Sequence, residues 1–115
     1  MGPGRQLLLV TRGRKTGEPR SVGLTYINDG DRWIVVGSNA GEDRHPAWWL
    51  NLKEDPAATV LVDGHSVLVT AQEVEEPERT EVFARFAAEV DESYLEYQKR
   101  TSRRLPVVAL TRTTM

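Results

Sequence analysis

The chain has 115 residues, 39% hydrophobic and 28% charged, with a formal net charge of -2; these are the size and balance of one folded domain, not of a disordered segment. Cysteine is absent, which excludes disulfides, thiolate metal sites and a cysteine nucleophile. No apolar run approaches the roughly 20 residues that span a bilayer, and Met1-Gly2-Pro3-Gly4 lacks the charged-then-apolar layout of a secretion signal.

The elements can be read in chain order. Leu7-Leu8-Leu9-Val10 reads as a buried strand. Gly13 and Gly17-Glu18-Pro19 mark a turn with basic residues packed between them, and Arg20 to Asn28 alternates as a strand with one covered face. Asn28-Asp29-Gly30-Asp31 predicts a hairpin turn that Trp33 to Gly37 completes. Ser38 to Arg44 reads as a loop, and His45-Pro46 opens a helix that Asp55-Pro56 ends. Strands at about 58–62 and 66–74 flank the Asp63-Gly64 turn. From Pro77 a helix places Val82, Phe83, Phe86, Ala87 and Val90 on one face. Tyr94 and Tyr97 fall in a further helical or turn segment, and Pro106 to Thr111 gives a last strand. Six strands joined mainly by hairpins, with two inserted helices, predict a mainly β (α+β) antiparallel barrel over residues 1–115, with 1–6 as a flexible terminus.

Charge is segregated along this chain. Residues 1–53 hold eight Lys/Arg against five Asp/Glu, residues 54–98 hold two against twelve, and residues 99–115 hold five against none. Positive charge at both ends points to an anionic ligand, while the acidic middle fits a solvated helix face.

Three stretches carry candidate chemistry. In Arg12-Gly13-Arg14-Lys15-Thr16-Gly17-Glu18-Pro19-Arg20, glycines let backbone approach a ligand, and Arg14, Lys15, Thr16 and Arg20 add donors suited to phosphate or carboxylates. An exposed hairpin tip with solvated charge would look the same. In Ser38 to Leu52, Trp48 and Trp49 are adjacent; helical neighbours point about 100° apart, so one can be core while the other lines a pocket. Tyr94 and Tyr97 lie three apart, so both phenols can reach one site as proton donors, or sit half buried on an amphipathic tail. His45 and His65 are the only histidines; with no thiolates, no metal site is expected, and His45 is read as helping to begin its helix. The negative net charge and a basic stretch without interleaved aromatics argue against nucleic acid.

In order and spacing, Gly13-Arg14-Lys15-Thr16-Gly17 with Pro19-Arg20, His45-Pro46-Ala47-Trp48 with Leu50-Asn51-Leu52, and Tyr94-Leu95-Glu96-Tyr97-Gln98 through Pro106-Val107-Val108 resemble the deazaflavin-dependent nitroreductase family of the split β-barrel superfamily. The resemblance runs from about Leu7 to Thr111. It implies a reductase that passes hydride from reduced coenzyme F-420 to a quinone or nitroaromatic acceptor. The coenzyme's phosphate and glutamyl tail would then meet Arg14, Lys15, Thr16, Gly17 and Arg20. Ser38, Asn39, Gly41, Ala47, Trp48 and Trp49 would border the ring, and Tyr94 and Tyr97 would lie on the acceptor side. Ser38 and Tyr94 would bond the acceptor oxygen, with Tyr97 shaping the pocket. The chain departs from the pattern at Gly23, where proline is common, at Asn39, where lysine is frequent, and at Arg100, where an aromatic can stand. Members often carry a helix ahead of the first strand, and none is expected from Met1 to Gln6. An FMN-binding split-barrel oxidoreductase and a non-catalytic deazaflavin-binding protein are the alternatives. The expected setting is cytoplasmic, as a monomer or homodimer, with peripheral membrane contact open because quinones reside in membranes.

Overall fold

Side-chain alternation at every second position, which sends successive residues to opposite faces of a strand, decides the architecture. In the computed structural model, which describes residues 5–113, six strands close a barrel in the order β1-β2-β3-β6-β5-β4. They are β1 (Arg5–Arg12), β2 (Pro19–Asp29), β3 (Arg32–Val36), β4 (Ala57–Val62), β5 (His65–Glu73) and β6 (Val107–Arg112), all paired antiparallel. Arg5 and Gln6, expected in a flexible terminus, belong to β1 and pair with Tyr26 and Thr25; the rest of that expectation, residues 1–4, lies outside the described residues. The Leu7-to-Val10 run is also not buried throughout. Leu7 and Leu9 point inward at 3% and 0% exposure, whereas Leu8 is 37% exposed.

Among the described residues there are three α-helices where two are expected, because the tyrosine segment completes two turns of its own. They are α1 (Ala47–Glu54), α2 (Glu78–Glu89) and α3 (Ser93–Arg100), with a short 3-10 turn at Asn39–Gly41. Pro46 caps α1 with extended backbone and no side-chain cap bond. Its fixed φ and missing N–H make it a starter but not a continuing residue.

Two apolar clusters hold the fold. One fills the barrel with alternate residues of the strands, among them Leu7, Leu9, Tyr26, Val35, Val60, Val69 and Leu110, and is closed by Trp48, Trp49 and Leu52 of α1. The other lies on the opposite face of β3 and β6, where Ile34, Val36, Val107 and Ala109 meet Val82, Phe83 and Phe86 of α2. Strands β3 and β6 are therefore covered on both faces, which is why they read as unbroken apolar runs. Tyr94 and Tyr97 pack against this second cluster, so α3 hangs from α2 beside the turn at Asn39–Gly41.

Candidate active site

The β1–β2 hairpin, strand β2, the start of α1 and the loop between them enclose one cleft of about 980 Å³. Its walls bring together Arg14, Lys15, Thr16 and Arg20 from the hairpin, Ser38 and Asn39 from the loop, Ala47 and Trp48 from α1, and Tyr94 from α3. Residues far apart in sequence thus share one cavity.

At the hairpin end, backbone bonds make the turn. The Gly17 amide donates to the Gly13 carbonyl at 2.7 Å, and the Gly13 amide donates to the Glu18 carbonyl at 2.8 Å. Gly17 has φ +79°, a left-handed conformation that costs a side-chain-bearing residue about 1 kcal/mol or more. Gly17 does not line the cleft; it shapes the turn that presents its neighbours. Asn51, 4% exposed in the middle of α1, reaches across to this hairpin. Its Oδ1 accepts from the Arg14 amide at 3.2 Å and from Arg14 Nη1 at 2.9 Å, while its Nδ2 donates to Thr11 Oγ1 at 3.1 Å. A buried amide bonded at both its oxygen and its nitrogen is expensive to replace. It fixes the root of an arginine whose charge no carboxylate neutralises among the described residues.

At the other end, the α1 N-terminus faces the cleft through Pro46, Ala47 and Trp48. First-turn amides of a helix have no partner in the helix, and the dipole favours an anionic or carbonyl oxygen there. Trp48 lines the cavity, while Trp49 does not; it is 6% exposed and belongs to the barrel core. The 100° step between helical neighbours separates the two indoles.

Gly41 and Tyr97 also differ from expectation. Gly41 has φ +78°, and a Cβ there would stand 2.8 Å from the Tyr97 carbonyl oxygen. It does not line the cleft but lets the loop dock on the backbone of α3. Tyr97 lies behind Tyr94, ring centroids 5.3 Å apart and edge to face, with the Arg100 guanidinium 5.5 Å from its ring. Tyr94 alone of the pair reaches the cavity, braced by Phe86 at 4.9 Å. Burial, then the neighbouring Tyr97, push the Tyr94 phenol above its ordinary range, against a polar pull from Ser38. It is a neutral phenol, able to donate. The Asn39 side chain donates to the Arg44 carbonyl at 3.0 Å, so it also braces its own loop.

His45, Asn51, Arg44 and Gly23 line the cleft as well, although the residue types alone gave no reason to assign them to it. The signal for Asn51 was a polar residue in an otherwise apolar Trp48-to-Leu52 run. His45 was read only as a helix starter.

A cavity with a basic mouth, an uncapped helix start, an indole wall and a neutral phenol suits an anionic cofactor with a flat ring. Comparison with known proteins decides the class. Residues 1–112 match the family described as F420H(2)-dependent quinone reductase. The chain belongs to that family. An F420H(2)-dependent quinone reductase of Mycobacterium tuberculosis (strain ATCC 25618 / H37Rv) is 43% identical over 110 residues, covering 92% of this chain and 72% of the relative. The solved structure of an F420-H2 dependent reductase superposes with a TM-score of 0.81 at 33% identity, covering 92% of this chain and 93% of the other. A further structure at 33% identity and TM-score 0.82, covering 92% and 79%, is described as a domain-swapped dimer. The heme storage protein HutZ of Vibrio cholerae, at 13% identity and TM-score 0.76 over 96% of this chain and 83% of that one, shares the fold alone. This reductase is therefore an F-420-dependent oxidoreductase on a split β-barrel. The residues present fit the coenzyme, because the cleft joins hydrogen-bonding cations at one end to an indole and helix amides at the other.

Proposed function

We propose that the cleft binds the deazaflavin in one orientation, tail at the hairpin and ring at the start of α1, for reduction of a quinone, with a nitroaromatic as a further acceptor class. The observation that carries this reading is the continuity of the cavity from Arg14, Lys15, Thr16 and Arg20 to Trp48, Ser38 and Tyr94. When bound, the reduced coenzyme supplies the hydride. The chain's own residues do the rest. Arg14, Lys15 and Arg20 neutralise the tail through charge-assisted bonds, and Asn51 orients the first of them. Ala47 and Trp48 border the ring and exclude water from one side of it. Tyr94 and Ser38 offer hydroxyls to the acceptor oxygen, where negative charge develops, and Tyr94 can release its proton there. Tyr97 acts through Tyr94, by packing.

The match to a chain described as a domain-swapped dimer supports a homodimer over a monomer. No helix among the described residues is long and apolar enough to cross a membrane.

Mixing the pure protein with reduced F-420 and menadione tests the reading. Oxidation of the coenzyme, followed by its returning absorbance, is expected to depend on protein and to saturate with both partners. Absence of coenzyme binding at micromolar concentration refutes it.

A further inference from the structure

The loop that walls the cleft is held by one guanidinium from outside it. Arg103 lies between α3 and β6. It donates through Nε to the Glu42 carbonyl at 2.7 Å, through Nη1 to the Gly37 carbonyl at 3.1 Å, and through Nη2 to the Ser38 carbonyl at 2.7 Å. Its Nη1 also lies 3.0 Å from Nδ1 of His45. Arg103 is anchored in turn. Its amide donates to Thr101 Oγ1 at 3.2 Å, Thr101 Oγ1 donates to Asp43 Oδ1 at 2.7 Å, and Gln98 Nε2 donates to the Arg103 carbonyl at 2.8 Å.

Guanidinium has donors and no acceptor. The contact with His45 therefore requires a bare lone pair on Nδ1, which leaves the proton of the neutral ring on Nε2. Burial, then the charges of Arg103 and of Lys53 on α1, hold this imidazole below its ordinary range. Nε2 has no partner among the described residues, and His45 lines the cleft two residues before α1 begins. A neutral ring N–H is thus fixed beside amides that are themselves short of acceptors.

We propose that Arg103 is a positioning residue for the coenzyme: it presents His45 as a neutral Nε2–H donor to an oxygen on the polar edge of the deazaflavin, and holds Ser38 on the same wall. This rests on the reading that the cleft takes the coenzyme. The bond between Arg103 and His45 exists only while Nδ1 is unprotonated, so the donor and the loop are set together.

Two kinds of variant separate the parts. His45→Asn keeps an acceptor near the place of Nδ1 for Arg103 and withdraws the donor from the place of Nε2, since its own amide nitrogen stands one atom short of that point. Coenzyme dissociation constants, measured by fluorescence titration, are expected to rise about tenfold, the effect of one lost hydrogen bond, with the melting temperature little changed. Arg103→Met removes the clamp, and Arg103→Lys restores one charge and part of the bonding. In coenzyme-free protein carrying His65→Gln, imidazole nitrogen NMR reads His45 alone. It is expected to show a bare Nδ1, a protonated Nε2, and titration below about 6.5. Arg103→Met should move that titration upward and weaken coenzyme binding about tenfold, with Arg103→Lys between. An unmoved titration in Arg103→Met, or wild-type affinity in His45→Asn, overturns the proposal while parent binding keeps the coenzyme reading intact. A parent chain that binds no coenzyme overturns both.

Discussion

The two ends of the cleft are built on different principles. At the hairpin end, exposed cations stand on a tight turn tied inward mainly by Asn51, whose Oδ1 takes two bonds from Arg14. At the α3 end, Ser38 and Tyr94 sit in a mesh of Arg103, Thr101, Gly41 and edge-to-face aromatics. The difference teaches which task each end can perform. Exposed charges deliver affinity for a flexible polyanion, at low precision and with sensitivity to salt. Braced hydroxyls deliver geometry, which is what a transition state rewards.

The sharpest way to break that contrast is to neutralise the hairpin. Replacing Arg14, Lys15 and Arg20 together with alanine is expected to weaken coenzyme binding by about 100-fold or more, taking roughly 1–1.5 kcal/mol for each charge-assisted bond. The melting temperature should fall only modestly, since Lys15 and Arg20 are exposed and Asn51 Oδ1 keeps the Arg14 amide when the Nη1 bond is lost, and the salt dependence of binding should flatten. Unchanged affinity would remove the tail from that end. Tyr94→Phe tests the opposite pole: turnover should fall about 100-fold, the lower range for a lost proton donor, while coenzyme affinity stays within about twofold in the same titration. Because burial raises the Tyr94 phenol, turnover should show no alkaline loss from this group below about pH 10.

Gly41→Ala asks whether the α3 end is braced as described. A Cβ 2.8 Å from the Tyr97 carbonyl, at φ +78°, is expected to cost about 2 kcal/mol of stability by thermal unfolding, with turnover falling in step. A neutral outcome would mean that the loop and α3 are not packed through that contact. The smallest effect concerns pH. His45 has its folded value lowered from 6.5, so the unfolded chain binds the proton more readily. Its contribution is complete above about 6.5 and is lost as pH falls through the lower folded value. Denaturant unfolding should show stability declining over that range, and His45→Asn should reduce the slope.

The hairpins, the α2 face and the three candidate stretches were legible in the sequence because each is a local pattern: Asp63-Gly64 or Asn28 to Asp31 between alternating strands, and Val82, Phe83 and Phe86 at helical spacing. Barrel closure was not. The β3–β6 pairing joins Trp33 to Leu110, and no short-range signal sets such a register. Trp48 and Trp49 are chemically identical, so only the direction of α1 separates cavity wall from core. Arg103 was invisible for another reason: three of its bonds go to backbone carbonyls, which any residue type supplies.

Strand β1 has a double employment. It closes the barrel through only three residue pairs with β4, Leu8 to Leu61, Leu9 to Val60 and Val10 to Thr59, and it runs straight into the basic hairpin. Occupancy of the hairpin is therefore linked to the seam, since a ligand that binds only the closed form raises the free energy of opening. Amide hydrogens along that seam should exchange more slowly in the loaded protein.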